Sequence, residues 1–134
     1  MTYEEKISWL SRYREAEKLY QRLSYRLAEA QEATRHITQN LSAAPGGSKD
    51  GQSLARAVER QEEAERRTYA QLAVCDALFS EIDAVLVQLD SAEYCALRKY
   101  YLDCLKWDQV AADMNFTSRG IFALRRRAIE HLKL

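Results

Sequence analysis

Two rows of apolar and small residues, each advancing by alternating steps of four and three, run through the first two thirds of the 134-residue chain. The first is Ala16, Tyr20, Leu23, Leu27, Ala30, Thr34, Ile37 and Leu41, continued upstream by Ile7, Leu10 and Tyr13. The second is Leu54, Val58, Gln61, Glu65, Thr68, Leu72, Cys75, Phe79, Ile82, Leu86 and Leu89. Heptad spacing of this kind marks a seam against another helix. Thr2 is placed to cap the first helix, and Glu4 and Glu5 fall in its first turn, where the helix dipole favours negative charge. A helix from about Tyr3 to Asn40 is predicted. Between the rows, Ser42 to Ser53 holds Pro45, Gly46, Gly47 and Gly51, which break the pattern and predict a flexible connector. Folding back about it pairs Ile37 with Val58, Leu23 with Leu72, Tyr20 with Cys75, Ala16 with Phe79 and Leu10 with Leu86. Apolar meets apolar at both ends, while the middle, around Ala30, Thr34, Gln61 and Glu65, is weak. Two helices alone bury little surface, so packing on the C-terminal residues or dimerisation is expected to complete the hairpin.

The pattern changes at Asp90. Asp90 followed by Glu93 resembles a capping box, and the helix it opens, Ser91 to about Cys104, sets Tyr94, Leu97 and Tyr101 on one face. Trp107 to Leu132 then reads as a short helix, a tight turn and a longer helix. Ala111 permits close helix approach, Asn115 tolerates the left-handed backbone that ends the first helix, and Thr117 offers an N-cap to the second. Val110, Met114, Phe116, Ile121, Leu124, Ala128 and Leu132 are expected to form the core with Leu97 and Tyr101. This is the spacing of a DNA-binding helix-turn-helix. The predicted fold is all-α, with about five helices and no strand. A long antiparallel coiled-coil hairpin occupies residues 1–89, with its linker at about 42–53. A three-helix helix-turn-helix domain occupies 90–134.

Composition narrows the class. Four glycines and one proline in a chain that is 30% charged are typical of long helices. No apolar run is long enough to span a bilayer, and the N-terminal residues lack the form of a signal peptide, so a cytoplasmic protein without membrane attachment is expected. The formal net charge is zero, but its distribution is uneven. Met114 to Leu134 carries Arg119, Arg125, Arg126, Arg127 and Lys133 against Glu130 alone, whereas residues 1–89 hold 12 basic and 14 acidic side chains. A cationic patch on a balanced body suits local phosphate contact.

Enzyme chemistry finds no foothold. Cys75, Cys95 and Cys104 are odd in number and lack zinc-knuckle spacing, and His36 and His131 lie in different units. The numerous carboxylates spread along solvated helix faces. No catalytic residue, metal site or cofactor is expected. Duplex DNA is the expected ligand, contacted by Thr117, Ser118, Arg119, Phe122, Ala123, Arg126 and Arg127 at the start and along the outer face of the last helix. Arg119 is suited to a bidentate contact with guanine and Phe122 to a thymine methyl. Arg119 and Arg126, seven residues apart, share a face. Gly120 inside the helix costs about 1 kcal/mol relative to alanine, a cost that close approach to DNA would explain.

The C-terminal third resembles region 4 of sigma-70-type factors. Nearly the whole chain is similar to small phage and prophage proteins of Gram-positive bacteria related to the ArpU and RinA regulators. The likeness rests on the Ala44-Pro45-Gly46-Gly47-Ser48 connector, Tyr101-Leu102-Asp103, Lys106-Trp107, Val110-Ala111, Phe116-Thr117-Ser118, Ile121-Phe122, Leu124 and Ala128-Ile129. The resemblance implies transcriptional regulation through promoter DNA, with RNA polymerase as a further partner. It departs at Lys106, where a capping serine is usual, and at Ser118 and Ala123, where relatives are often basic. Small terminase subunits, which join a helix-turn-helix to an oligomerising coiled coil, are the alternative reading, as is a module that docks only on polymerase or a sigma factor. With so few cations, one copy is expected to bind DNA weakly, so a homodimer or other homo-oligomer is expected.

Overall fold

The computed structural model describes residues 1–43 and 48–134, and among these every regular element is a helix. In chain order they are α1 (Tyr3–Leu10), α2 (Arg12–Ala43), α3 (Ser48–Leu86), α4 (Ser91–Tyr101), α5 (Trp107–Met114) and α6 (Ser118–His131). No described helix is long and apolar enough to cross a membrane.

The single first helix of the sequence reading is divided at Ser11. Its hydroxyl donates to the Ile7 carbonyl at 2.7 Å, the same oxygen that accepts from the Ser11 N–H at 2.9 Å. Back-bonding by serine of this kind bends a helix. The expected cap is present, since Thr2 Oγ1 accepts from Glu5 N and the Glu5 carboxylate accepts from Thr2 N. The connector is shorter than the 42–53 predicted. α2 continues through Ser42 and Ala43, and α3 already begins at Ser48 with Gly51 inside it. One glycine costs a 39-residue helix only about 1 kcal/mol, too little to stop it. The connector expected to be flexible, with Pro45, Gly46 and Gly47, lies outside the described residues.

The chain forms two compact units, residues 18–74 and residues 1–17 with 75–134. The boundary predicted between Leu89 and Asp90 therefore does not separate them.

In the unit of residues 18–74, α2 and α3 pair antiparallel. Leu23 lies beside Ala64 and Arg67, and Ile37 and Leu41 lie beside Ser53. The α2 row is as predicted: Tyr20, Leu23, Leu27, Ala30, Thr34, Ile37 and Leu41 are all partly buried. On α3 Thr68 is buried and Leu54, Gln61 and Glu65 are partly buried as predicted, whereas Val58 and Leu72 are more than a third exposed and Ala57 is buried. Thr68 donates to the Leu23 carbonyl at 3.3 Å as well as to Ala64 at 2.7 Å, so Leu23 meets Thr68 where Leu72 was expected. The register is displaced by about one helical turn. A threonine hydroxyl reaching the neighbouring backbone requires close approach, which Ala57, Ala64 and Thr68 permit and a Val58–Leu72 seam would not.

In the other unit a similar displacement recurs: Phe79 packs edge-on against Tyr13, three residues before the expected Ala16, with ring centroids 5.5 Å apart. The main core gathers Leu10 from α1, Ile82 and Leu86 from α3, Leu97, Tyr101 and Leu102 from α4 and its C-cap, and Ala128, Ile129 and Leu132 from α6 and its C-cap. Both ends of the predicted hairpin thus belong to the core beneath the last helix. Polar contacts reinforce this: Lys6 Nζ donates to the Ile129 and Glu130 carbonyls at 3.2 and 3.3 Å, and Tyr94 donates to Asp83 at 2.7 Å.

Candidate nucleic-acid interface

A second, smaller core holds α4, α5 and α6 together through Ala96, Val110, Ala111, Ile121 and Leu124. Phe116, expected in this core, is 38% exposed. It follows the left-handed residue and is carried outward by the turn. That residue is Asn115, at φ 59° and ψ 40°, and it ends α5 as predicted. Phe116 N–H then reaches back to the Ala111 carbonyl at 2.9 Å. Thr117 caps α6 by accepting from Gly120 N at 3.0 Å. Lys106 supplies no side-chain cap to α5, and Gln109 Oε1 instead accepts from Lys106 N at 2.9 Å. Asn115→Ala is expected to lower stability by about 1–2 kcal/mol and Asn115→Gly to be close to neutral, as read by urea unfolding.

Gly120 has an internal reason. A Cβ there would meet Thr117 Oγ1 at 3.1 Å and the Phe116 ring at 3.3 Å, both tight contacts. The glycine makes room for the cap and the turn, whatever approaches from outside.

All seven residues predicted to face DNA are exposed: Thr117, Ser118, Arg119, Phe122, Ala123, Arg126 and Arg127. They differ in what else they touch. Among the described residues Arg119 has no counter-ion. Phe122 is 46% exposed but leans on Trp107, with ring centroids 6.2 Å apart. Arg126 pairs with Glu130 at 3.3 Å, and Arg127 lies 3.6 Å from the Glu93 carboxylate. Arg125 turns the other way, over the Trp107 ring at 5.3 Å. The three consecutive arginines therefore do three different things, and the local cationic charge is partly compensated within the fold.

Two features lay beyond the sequence reading. Glu93 is buried, and its carboxylate bonds to His131 Nδ1 at 2.9 and 3.1 Å. The predicted capping box is thus only half formed: Asp90 accepts from Glu93 N, while the Glu93 side chain crosses to α6. Second, Arg14, Tyr100, Trp107 and Arg125 form a continuous stack. Arg14 sits 4.1 Å above Tyr100, and Tyr100 lies parallel to Trp107 at 4.3 Å. Arg14 also donates to the Tyr100 carbonyl at 2.6 Å. Pairs this distant in sequence leave no periodic signal. Beneath the stack, burial pushes the Tyr101 phenol above its ordinary pKa, and the neighbouring Arg125 charge opposes that shift.

Among the described residues no three His, Cys, Asp or Glu side chains gather into a metal-ligating group. No family model, curated protein or solved structure matches the chain.

Proposed function

We propose that this chain is a phage- or prophage-type transcriptional regulator that binds promoter duplex DNA. In this reading α4, α5 and α6 form a helix-turn-helix of sigma-70 region 4 type, with α6 as the recognition helix. The observation that carries it is the combination of a left-handed Asn115 turn and an α6 whose outer face is wholly exposed and headed by the uncompensated Arg119. Side chains at the start of such a helix reach base edges, and helix N-termini and neighbouring cations hold phosphates. The α6 N-terminus has no acidic residue in its first turn, so nothing there repels a phosphate.

Because Arg126 and Arg127 already have carboxylate neighbours, few phosphates are engaged per copy, and a second copy adds the rest. The test is binding to duplex taken from upstream of its own coding sequence, followed by fluorescence anisotropy across a salt series. Each phosphate contact contributes about −0.9 to the log–log slope, so a steep negative slope supports the reading and a flat one overturns it.

A second reading is favoured by Phe116 and Phe122, two large apolar side chains exposed beside Arg119. Such a patch also suits protein docking, with RNA polymerase or a sigma factor as the partner. Absence of DNA binding at low salt, together with tight polymerase binding, would select it.

A further inference from the structure

The unit of residues 18–74 has two unlike flanks. With about 100° of turn per residue, the buried row of α3 (Ala57, Thr68) divides its remaining surface. On one side lie Arg56, Arg60 and Arg67, which with Arg26 of α2 rim a groove of about 380 Å³ floored by Leu23 and Ala64; Glu59 and Glu63 also line it, leaving the four arginines in excess. On the other side lie Val58, Glu62, Tyr69 and Leu72, edged by the half-buried Glu65, which accepts from Gln61 Nε2 at 3.1 Å. That second stripe is acidic and apolar at once, with Tyr69 64% exposed and Val58 and Leu72 at 37% and 38%.

The groove carries charge it does not neutralise. Glu63 is shared by Arg66 and Arg67 at 2.6 and 2.9 Å. Among the described residues Arg26, Arg56 and Arg60 make no ion pair. An arginine rim over an apolar floor fits an amphipathic helix bearing carboxylates. The α3 stripe is such a helix, and its dimensions match: at 1.5 Å per residue, Val58 to Leu72 spans about 21 Å and Arg56 to Arg67 about 16 Å.

We propose that the arginine groove of one copy receives the Val58–Leu72 stripe of α3 from a second copy. Glu62, with Glu65 at its edge, then meets Arg26, Arg56 and Arg60, while Val58, Tyr69 and Leu72 cover the Leu23–Ala64 floor. The two surfaces differ, so the contact is head-to-tail, and copies add until a ring closes or a filament grows. The proposal goes beyond the DNA-binding reading and does not depend on it, since assembly is measured without DNA.

The experiment is sedimentation velocity on the full chain in low and high salt, with circular dichroism as the check on folding. The wild type should associate beyond a dimer as concentration rises, and salt should reverse this. Arg60→Glu breaks the groove and Glu62→Arg breaks the stripe. Arg60 and Glu62 are both exposed, and each variant alone should lose about tenfold or more in association constant. An equimolar mixture of the two should recover association, because each supplies the surface the other lacks. A monomeric wild type overturns the proposal, as do folded variants that associate like the wild type or a mixture that does not recover. A monomeric wild type that binds polyglutamate through the groove would overturn it too, assigning the groove to a different acidic partner.

Discussion

Leu86→Ala should destabilise the unit that carries α6 by about 2–5 kcal/mol, the range for deleting a fully buried leucine without collapse of the cavity. Leu86 is fully buried, and it shares its core with Leu10, Leu97, Ile129 and Leu132. For the same reason a fragment of residues 90–134 is expected to be unfolded. It would lack Leu10, Ile82 and Leu86, the side chains that cover α4 and α6 from outside the fragment. Urea denaturation of the variant and circular dichroism of the fragment check both statements. A cooperative, thermally stable fragment would restore the boundary at Asp90 that the sequence pattern implies.

Arg119→Ala is the other large effect. Loss of a bidentate base contact is worth about 1–3 kcal/mol, or roughly 5- to 150-fold at a preferred site, with little change on unrelated duplex. Arg126→Ala should weaken all duplexes alike and reduce the salt slope by less than the 0.9 or so of a free cation, because Glu130 already shares that charge. Competitive anisotropy with preferred and scrambled duplexes separates the two. Equal losses from both variants on every sequence would show that Arg119 contacts phosphate and not a base.

Legibility in the sequence tracked the range of the interactions. Local signals were read correctly: the Thr2 and Thr117 caps, the Asn115 turn and the whole α2 row each depend on residues within a few positions of one another. The α3 row departs from expectation only at Val58 and Leu72, where hydrophobicity alone favours burial: the seam closes on the small Ala57 instead, while Thr68 keeps its expected buried place and its hydroxyl reaches the Leu23 carbonyl. Gly51 reads as a break in the sequence, yet it lies inside α3, because the length of the helix outweighs the cost of one glycine. Within the candidate interface, exposure of the seven residues followed from helical period, but their partners did not. Glu93 meets His131 across 38 positions and Arg14 meets Tyr100 across 86, separations at which sequence spacing carries no information. Those partners alter the electrostatics: three adjacent arginines look like one cationic patch in the sequence, and in the fold they serve Trp107, Glu130 and Glu93.

The most direct measurement is residue-resolved. Backbone amide spectra of the labelled full chain are recorded with and without a duplex from its own upstream region. The account predicts that shifts concentrate at Thr117 to Arg127, strongest at Ser118, Arg119 and Phe122, and that Arg119→Ala reduces those caused by the upstream duplex to the level seen with a scrambled one. Shifts confined to the outer surfaces of α2 and α3, or none at low salt, would contradict it.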